Sequence, residues 1–128
     1  MLLIDGAHLT IEDVVAVARQ GRPVGLDPAA RQRMQRAYEW VQEITAASRP
    51  VYGVNTGFGI FADRRIPPDA SALLSRNLIL SHAVATGPDL PEEVVRAAML
   101  IRANTLAIGN SGVSPQVVET LLEMLNRG

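Results

Sequence analysis

Five times in 128 residues a proline or a short oxygen-bearing side chain stands just ahead of an apolar pattern of helical period. That punctuation constrains the fold more than any other feature. "TIED" at 10–13 is Thr-x-x-Asp, a capping-box pattern in which hydroxyl and carboxylate answer amide groups at a helix start. The segment it opens runs to about Gln20, where Gly21 stops it. Asp27-Pro28 is an N-cap followed by a proline whose missing N–H would be unpaired there anyway. The helix predicted from it covers 28–47, with Met34, Tyr38, Val41 and Ile44 at three- and four-residue steps, and Pro50 ends it. Pro67 and Pro68 open a third helix over 69–86, broken by Gly87-Pro88. Pro91, Glu92 and Glu93 form the first turn of a fourth over 91–108, where acids suit the helix dipole. Ser114-Pro115 opens a fifth that runs to about Asn126, and residues 2–5 read as a short strand. The expected fold class is mainly α, a single helical domain over 1–128 with one glycine-rich loop between the second and third long helices.

Composition agrees with packed helices. Apolar residues make up 48% of the chain and charged residues 20%, enough for a core. Aromatics are only 4%, so that core is built from Ala, Val, Leu and Ile. The net charge of −1, with no basic stripe, offers no footprint for nucleic acid or a membrane surface. With no cysteine, disulfides and thiol nucleophiles are excluded. A metal would have to use His8, His82 and carboxylates, and no His-x-x-x-His spacing exists; no metal site is expected. The amino terminus has no basic start, and Asp5 ends its apolar run after four residues, unlike a signal peptide. No run approaches the roughly 18 apolar residues of a membrane span. The expected location is cytoplasmic.

The loop reads "VYGVNTGFGIF" at 51–61. Glycines at 53, 57 and 59 permit positive φ and close approach of backbone to a ligand. The stretch lacks the Lys-Ser/Thr of a P-loop. Two readings stay open: a tight structural turn capped by Phe58 and Phe61, or a ligand loop. A phenol titrates near 10 in water, and hydrogen-bond donors can stabilise its anion and make it a base. Tyr52 is therefore either a structural tyrosine or a catalytic one. His82, on a helical face with Leu78 and Ala85, is either half-buried and bonded to a backbone carbonyl or lines a pocket. His8, in a turn, carries no signal.

"YGVNTGFG", then "SRNLILSHAVATG", then "VVRAAMLIRANTLAIGNSGVSP" resemble, in that order, the N-terminal region of the aromatic amino acid lyase family, the histidine ammonia-lyases and the aminomutases included. The likeness is weak before residue 48 and strong over 50–128. It implies the helical fold of that family, a homotetramer with shared active sites, and ammonia elimination through an electrophilic methylideneimidazolone (MIO) group. It implies that Tyr52 is the catalytic base and that His82 lines the substrate pocket, which favours a histidine or tyrosine substrate over phenylalanine. Gly53, Asn55, Thr56, Gly57, Phe58 and Gly59 then belong to an active-site loop, anchored by Phe58 and Phe61 and mobile over 50–65 in this chain by itself.

The sequence departs from that family in two places. MIO forms from Ala-Ser-Gly, which is absent here; "NSG" at 110–112 matches a different family segment, the turn before the last helix. No cofactor is expected within this chain. Asn110 stands where many members have tyrosine. The expectation is therefore an N-terminal fragment or subunit of an ammonia-lyase, favouring histidine to trans-urocanate plus ammonia, and inactive alone. The alternatives are part of a tyrosine-type lyase or aminomutase, or a non-catalytic helical module. The partners expected are a C-terminal lyase portion or a second copy. Self-association would run through the last helix, whose Val118, Leu121, Leu122 and Leu125 form an apolar face, and would centre on Leu121 and Leu125.

Overall fold

The computed structural model describes residues 1–47, 50–57, 59, 64 and 66–128. In chain order its elements are β1 (Leu2–Ile4), α1 (Ile11–Gln20), β2 (Val24–Leu26), α2 (Pro28–Ala46), α3 (Pro68–His82), α4 (Glu92–Ala107) and α5 (Pro115–Arg127). The protein is mainly helical, and the helix starts lie where the caps put them. Thr10 and Asp13 close the capping box of α1, and Gly21 ends that helix in the left-handed conformation, φ 65°. Asp27 Oδ1 accepts the amides of Ala29 and Ala30 at 2.9 and 3.0 Å, and Ser114 Oγ accepts that of Gln116. Helix α3 stops at His82 rather than near 86, with Ala83 leaving the helical region at ψ 63°. Val84 and Thr86, β-branched and weak helix formers, follow in sequence before Gly87-Pro88.

The chain divides into two compact units, residues 1–39 with 89–128, and residues 40–88. In the first, β1 and β2 pair in parallel, Leu2 opposite Val24 and Ile4 opposite Leu26. Parallel strands need a crossover, and α1 supplies it. Strand β2 is absent from the sequence expectations: its central residue is Gly25, a poor strand former, and its pairing partner lies about 22 residues earlier in the chain. Its other edge is closed by a side chain: Val24 N–H donates to Asn126 Oδ1, and Asn126 Nδ2 donates to Val24 O, both at 2.9 Å. One amide thus does the work of a neighbouring strand.

Helix α4 packs on both α1 and α5. Leu100, Ala103 and Ala107 are fully buried along it, among Ile4, Val17, Val24, Met34, Val118, Leu122 and Leu125. From the same helix, Arg96 Nη2 donates to Val17 O at 3.2 Å and to Leu125 O at 3.0 Å. Each carbonyl belongs to the last turn of its helix, where no intrahelical amide is left to answer it, and a cation there also suits the dipole.

The last helix corrects one expectation. Val118, Leu122 and Leu125 are 0, 3 and 3% exposed, inside the unit's own core, and Leu121 packs partly buried against it. Helix α4 and strand β2 cover the face that was expected to seek a second copy. What α5 leaves outside is Val117 and Met124, 46 and 54% exposed.

Two outcomes follow for chemical denaturation. Leu125→Glu places a charge in the core and should lower stability by more than about 3 kcal/mol, whereas Met124→Glu stays within about 0.5 kcal/mol of wild type. Arg96→Ala removes two charge-assisted bonds in a partly buried setting and should cost about 2 kcal/mol, with Arg96→Lys recovering part of it. Urea midpoints at constant slope measure both.

Candidate active site

The loop after α2 is built from backbone groups that a single turn cannot satisfy alone. Val51 O accepts the amides of Val54 and Asn55 at 3.1 and 3.2 Å. Val51 N–H donates to Asn55 Oδ1 at 2.7 Å. Residues 51–55 thus form a closed ring with Tyr52 and Gly53 at its tip, and Gly53 takes φ 76° there. The chain then runs back beside itself: Gly57 N–H bonds Arg64 O at 2.9 Å, and Ile66 N–H bonds Asn55 O at 2.8 Å. Asn55 and Thr56 are buried, 4 and 2% exposed. Thr56 Oγ1 accepts from Gly53 N–H and donates to Gly57 O.

Tyr52, at the tip, is 64% exposed. An open apolar recess of about 370 Å³, lined by Trp40, Ile44, Ala47, Pro50 and Val51, adjoins the residue before it. Gly59 has φ 58°. Phe58 and Phe61, expected as anchors, lie outside the described residues.

His82 closes α3 in the same unit. Its Nδ1 lies 3.0 Å from Leu78 O and 2.9 Å from Ser81 Oγ, while Ser81 Oγ itself donates to Leu78 O. A carbonyl only accepts, so the bond to Leu78 O requires the tautomer with the proton on Nδ1, which leaves Nε2 as an acceptor. The ring is bonded to backbone, as one sequence reading had it, but exposed rather than half-buried. The same helix carries exposed Leu73, Ile79 and Leu80.

His8, which carried no signal in the sequence, has a defined partner. Asp5 Oδ2 lies 2.6 Å from its Nδ1, and Asp5 Oδ1 accepts the amides of Ala7 and His8. The turn is pinned from outside by Asn104 Oδ1, which accepts Gly6 N–H at 2.9 Å. A Cβ on Gly6 would lie 2.7 Å from the backbone nitrogen of Ile108. The hydrogen bond to Asp5 raises the His8 pKa, and the bond from His8 holds Asp5 well below the usual carboxylate range. Asp-x-x-His ahead of a cap was the signal available for this pair.

Among the described residues no three His, Cys, Asp or Glu gather as a metal site, and no helix is long and apolar enough to cross a membrane.

A family profile described as aromatic amino acid lyase matches residues 9–128. The chain belongs to the aromatic amino acid lyase family. It is 52% identical over 130 residues to histidine ammonia-lyase of Chloroflexus aurantiacus, an alignment that takes in 99% of this chain and 25% of that protein. Its fold superposes on histidine ammonia-lyase from Trypanosoma cruzi with TM-score 0.89 and 31% identity, covering 99% of this chain and 24% of that one. On tyrosine aminomutase from Streptomyces globisporus the TM-score is 0.92 with 34% identity, covering 99% and 24%. The chain spans about a quarter of the length of the curated relatives it matches.

Because His8 is raised in the folded chain, its pair with Asp5 stabilises fully below the ordinary value of 6.5 and is lost as pH rises through the raised value. Ring NMR titration should show His8 titrating above 6.5, and Asp5→Asn should return it toward that value. An unmoved His8 would disprove the pairing.

Proposed function

We propose that this chain is the N-terminal part of a histidine ammonia-lyase, with Tyr52 as the base that takes a proton from the substrate and His82 as the residue that meets the polar edge of the substrate side chain. The observation that carries the reading is the 52% identity to a histidine ammonia-lyase along nearly the whole chain, with the loop tyrosine held outward on a turn whose base is buried. A base must come within hydrogen-bond reach of the proton it takes, and an exposed phenol at the tip of a turn is open to a substrate. His82 supports a substrate with a ring nitrogen or hydroxyl, because Nε2 is left as an acceptor while Nδ1 is held by Leu78 O. A tyrosine-type lyase or aminomutase is the second reading, favoured by the similarity to tyrosine aminomutase.

The family's MIO group supplies an electrophile that activates the amine to leave. The chain has no Ala-Ser-Gly, and its Asn110-Ser111-Gly112 lies in the connection between α4 and α5 with Asn110 and Ser111 exposed. These residues do not fit the group, so no step through it is assigned here. On this reading the group and the remaining catalytic residues come from sequence outside these 128 residues. The apolar side chains exposed on α3 are surface that this remaining polypeptide, or further copies in a homotetramer, would cover. A cytoplasmic location belongs to the same reading.

The chain alone should produce no trans-urocanate from histidine, and no cinnamate, above a protein-free control. The decisive test grafts residues 1–128 in place of the matching segment of the Chloroflexus aurantiacus enzyme. The graft should convert histidine to urocanate. Tyr52→Phe should lower its kcat by about 10³-fold, within the range of a lost general base. His82→Leu should raise KM for histidine by about tenfold, the cost of one lost polar contact. A folded graft that turns over tyrosine but not histidine would select the second reading, and full activity in Tyr52→Phe would remove the base from Tyr52.

A further inference from the structure

A proton-transfer base has to sit within hydrogen-bond reach of its target, so displacement by an ångström is costly. Tyr52 is largely exposed, so the turn that carries it has a large part in defining its place. We propose that Asn55 is the positioning residue for Tyr52, an inference that rests on the reading of Tyr52 as the base.

The geometry is specific to an amide. Asn55 Oδ1 accepts Val51 N–H at 2.7 Å, immediately before Tyr52. Asn55 Nδ2 donates to Ile44 O at 3.3 Å, in the last turn of α2. The main chain of the same residue donates to Val51 O and accepts from Ile66 N–H. One residue therefore joins three pieces of backbone: the end of a long helix, the turn that carries the phenol, and the chain at Ile66. All of this occurs at 4% exposure, where an unanswered polar group is costly. Aspartate keeps the acceptor and loses the donor. Alanine loses both. Glutamine has both but is longer by one methylene, so it cannot span the same gap without moving the turn.

The chain has two tyrosines, which makes the test direct. With 3-fluorotyrosine incorporated, Tyr38 on α2 serves as the internal control for Tyr52. In Asn55→Ala the Tyr52 fluorine resonance should move and the Tyr38 resonance should stay. Amide exchange at Val51 should quicken by about tenfold or more, the loss of one protecting bond. In Asn55→Asp the Val51 amide should remain protected while Tyr52 still moves, because the tie to Ile44 is cut. A merely structural role would shift both tyrosines together through general loosening. In the active graft, both variants should lose kcat on the order of 10²-fold with KM changed less than about threefold, the pattern of a displaced group rather than of lost substrate binding. An unmoved Tyr52 resonance in Asn55→Ala, both tyrosines moving together, or a graft whose kcat stays within about twofold of its parent overturns the proposal. If Tyr52→Phe leaves the graft active, the assignment of the base falls instead. The fluorine and exchange measurements still decide whether Asn55 holds the turn.

Discussion

Short elements leave a large share of their backbone groups unanswered at their ends, and those groups must be paired if they are buried. The paired three-residue strands and the helices packed on them depend on this constraint. Arg96 meets the carbonyls at the ends of α1 and α5, Asn126 pairs with β2 as a strand would, and Asn104 holds the turn after β1. Each partner is about 29 to 102 residues away in sequence from the group it answers. The apolar stripe of α4 supplies burial, and these side chains decide which arrangement of the elements leaves no polar group behind.

The second unit applies the same rule to a loop. Among its described residues, two polar ones are inside and one aromatic one is outside: Asn55 and Thr56 are buried while Tyr52 is exposed. On the proposed reading of Tyr52 as the base, a hydrogen-bonded turn beneath the exposed phenol keeps it open to a substrate. Helix α3 also has Leu73, Ile79 and Leu80 outside. Exposure of that kind fits a segment that meets further protein, which agrees with a chain covering a quarter of its relatives.

Much of the fold was legible from punctuation. Thr10, Asp27, Pro28, Ser114 and Pro115 act locally, through bonds to amides two or three residues on, so their effect can be read without knowing the tertiary structure. The end of α3 was less legible, because nothing local before Gly87 forces a stop. The proposed site rests on a resemblance rather than on chemistry: Tyr52 and His82 are ordinary residues until a family pattern surrounds them. The hydrogen bonds of Asn55 could not be read, since "VNTG" is equally compatible with several turns.

The sequence by itself determined where helices begin, that the core is aliphatic, and which family the loop motif resembles. These depend on near neighbours and on composition. Only the tertiary structure decided that Val118, Leu122 and Leu125 face inward, that three residues at Val24–Leu26 form a strand, and that Asn55 joins α2 to the turn bearing Tyr52. An apolar face states that it must be covered and not by what, and a buried amide states that it must be bonded and not to whom. Partners distant in sequence settle both, because burial and hydrogen bonding are satisfied in space.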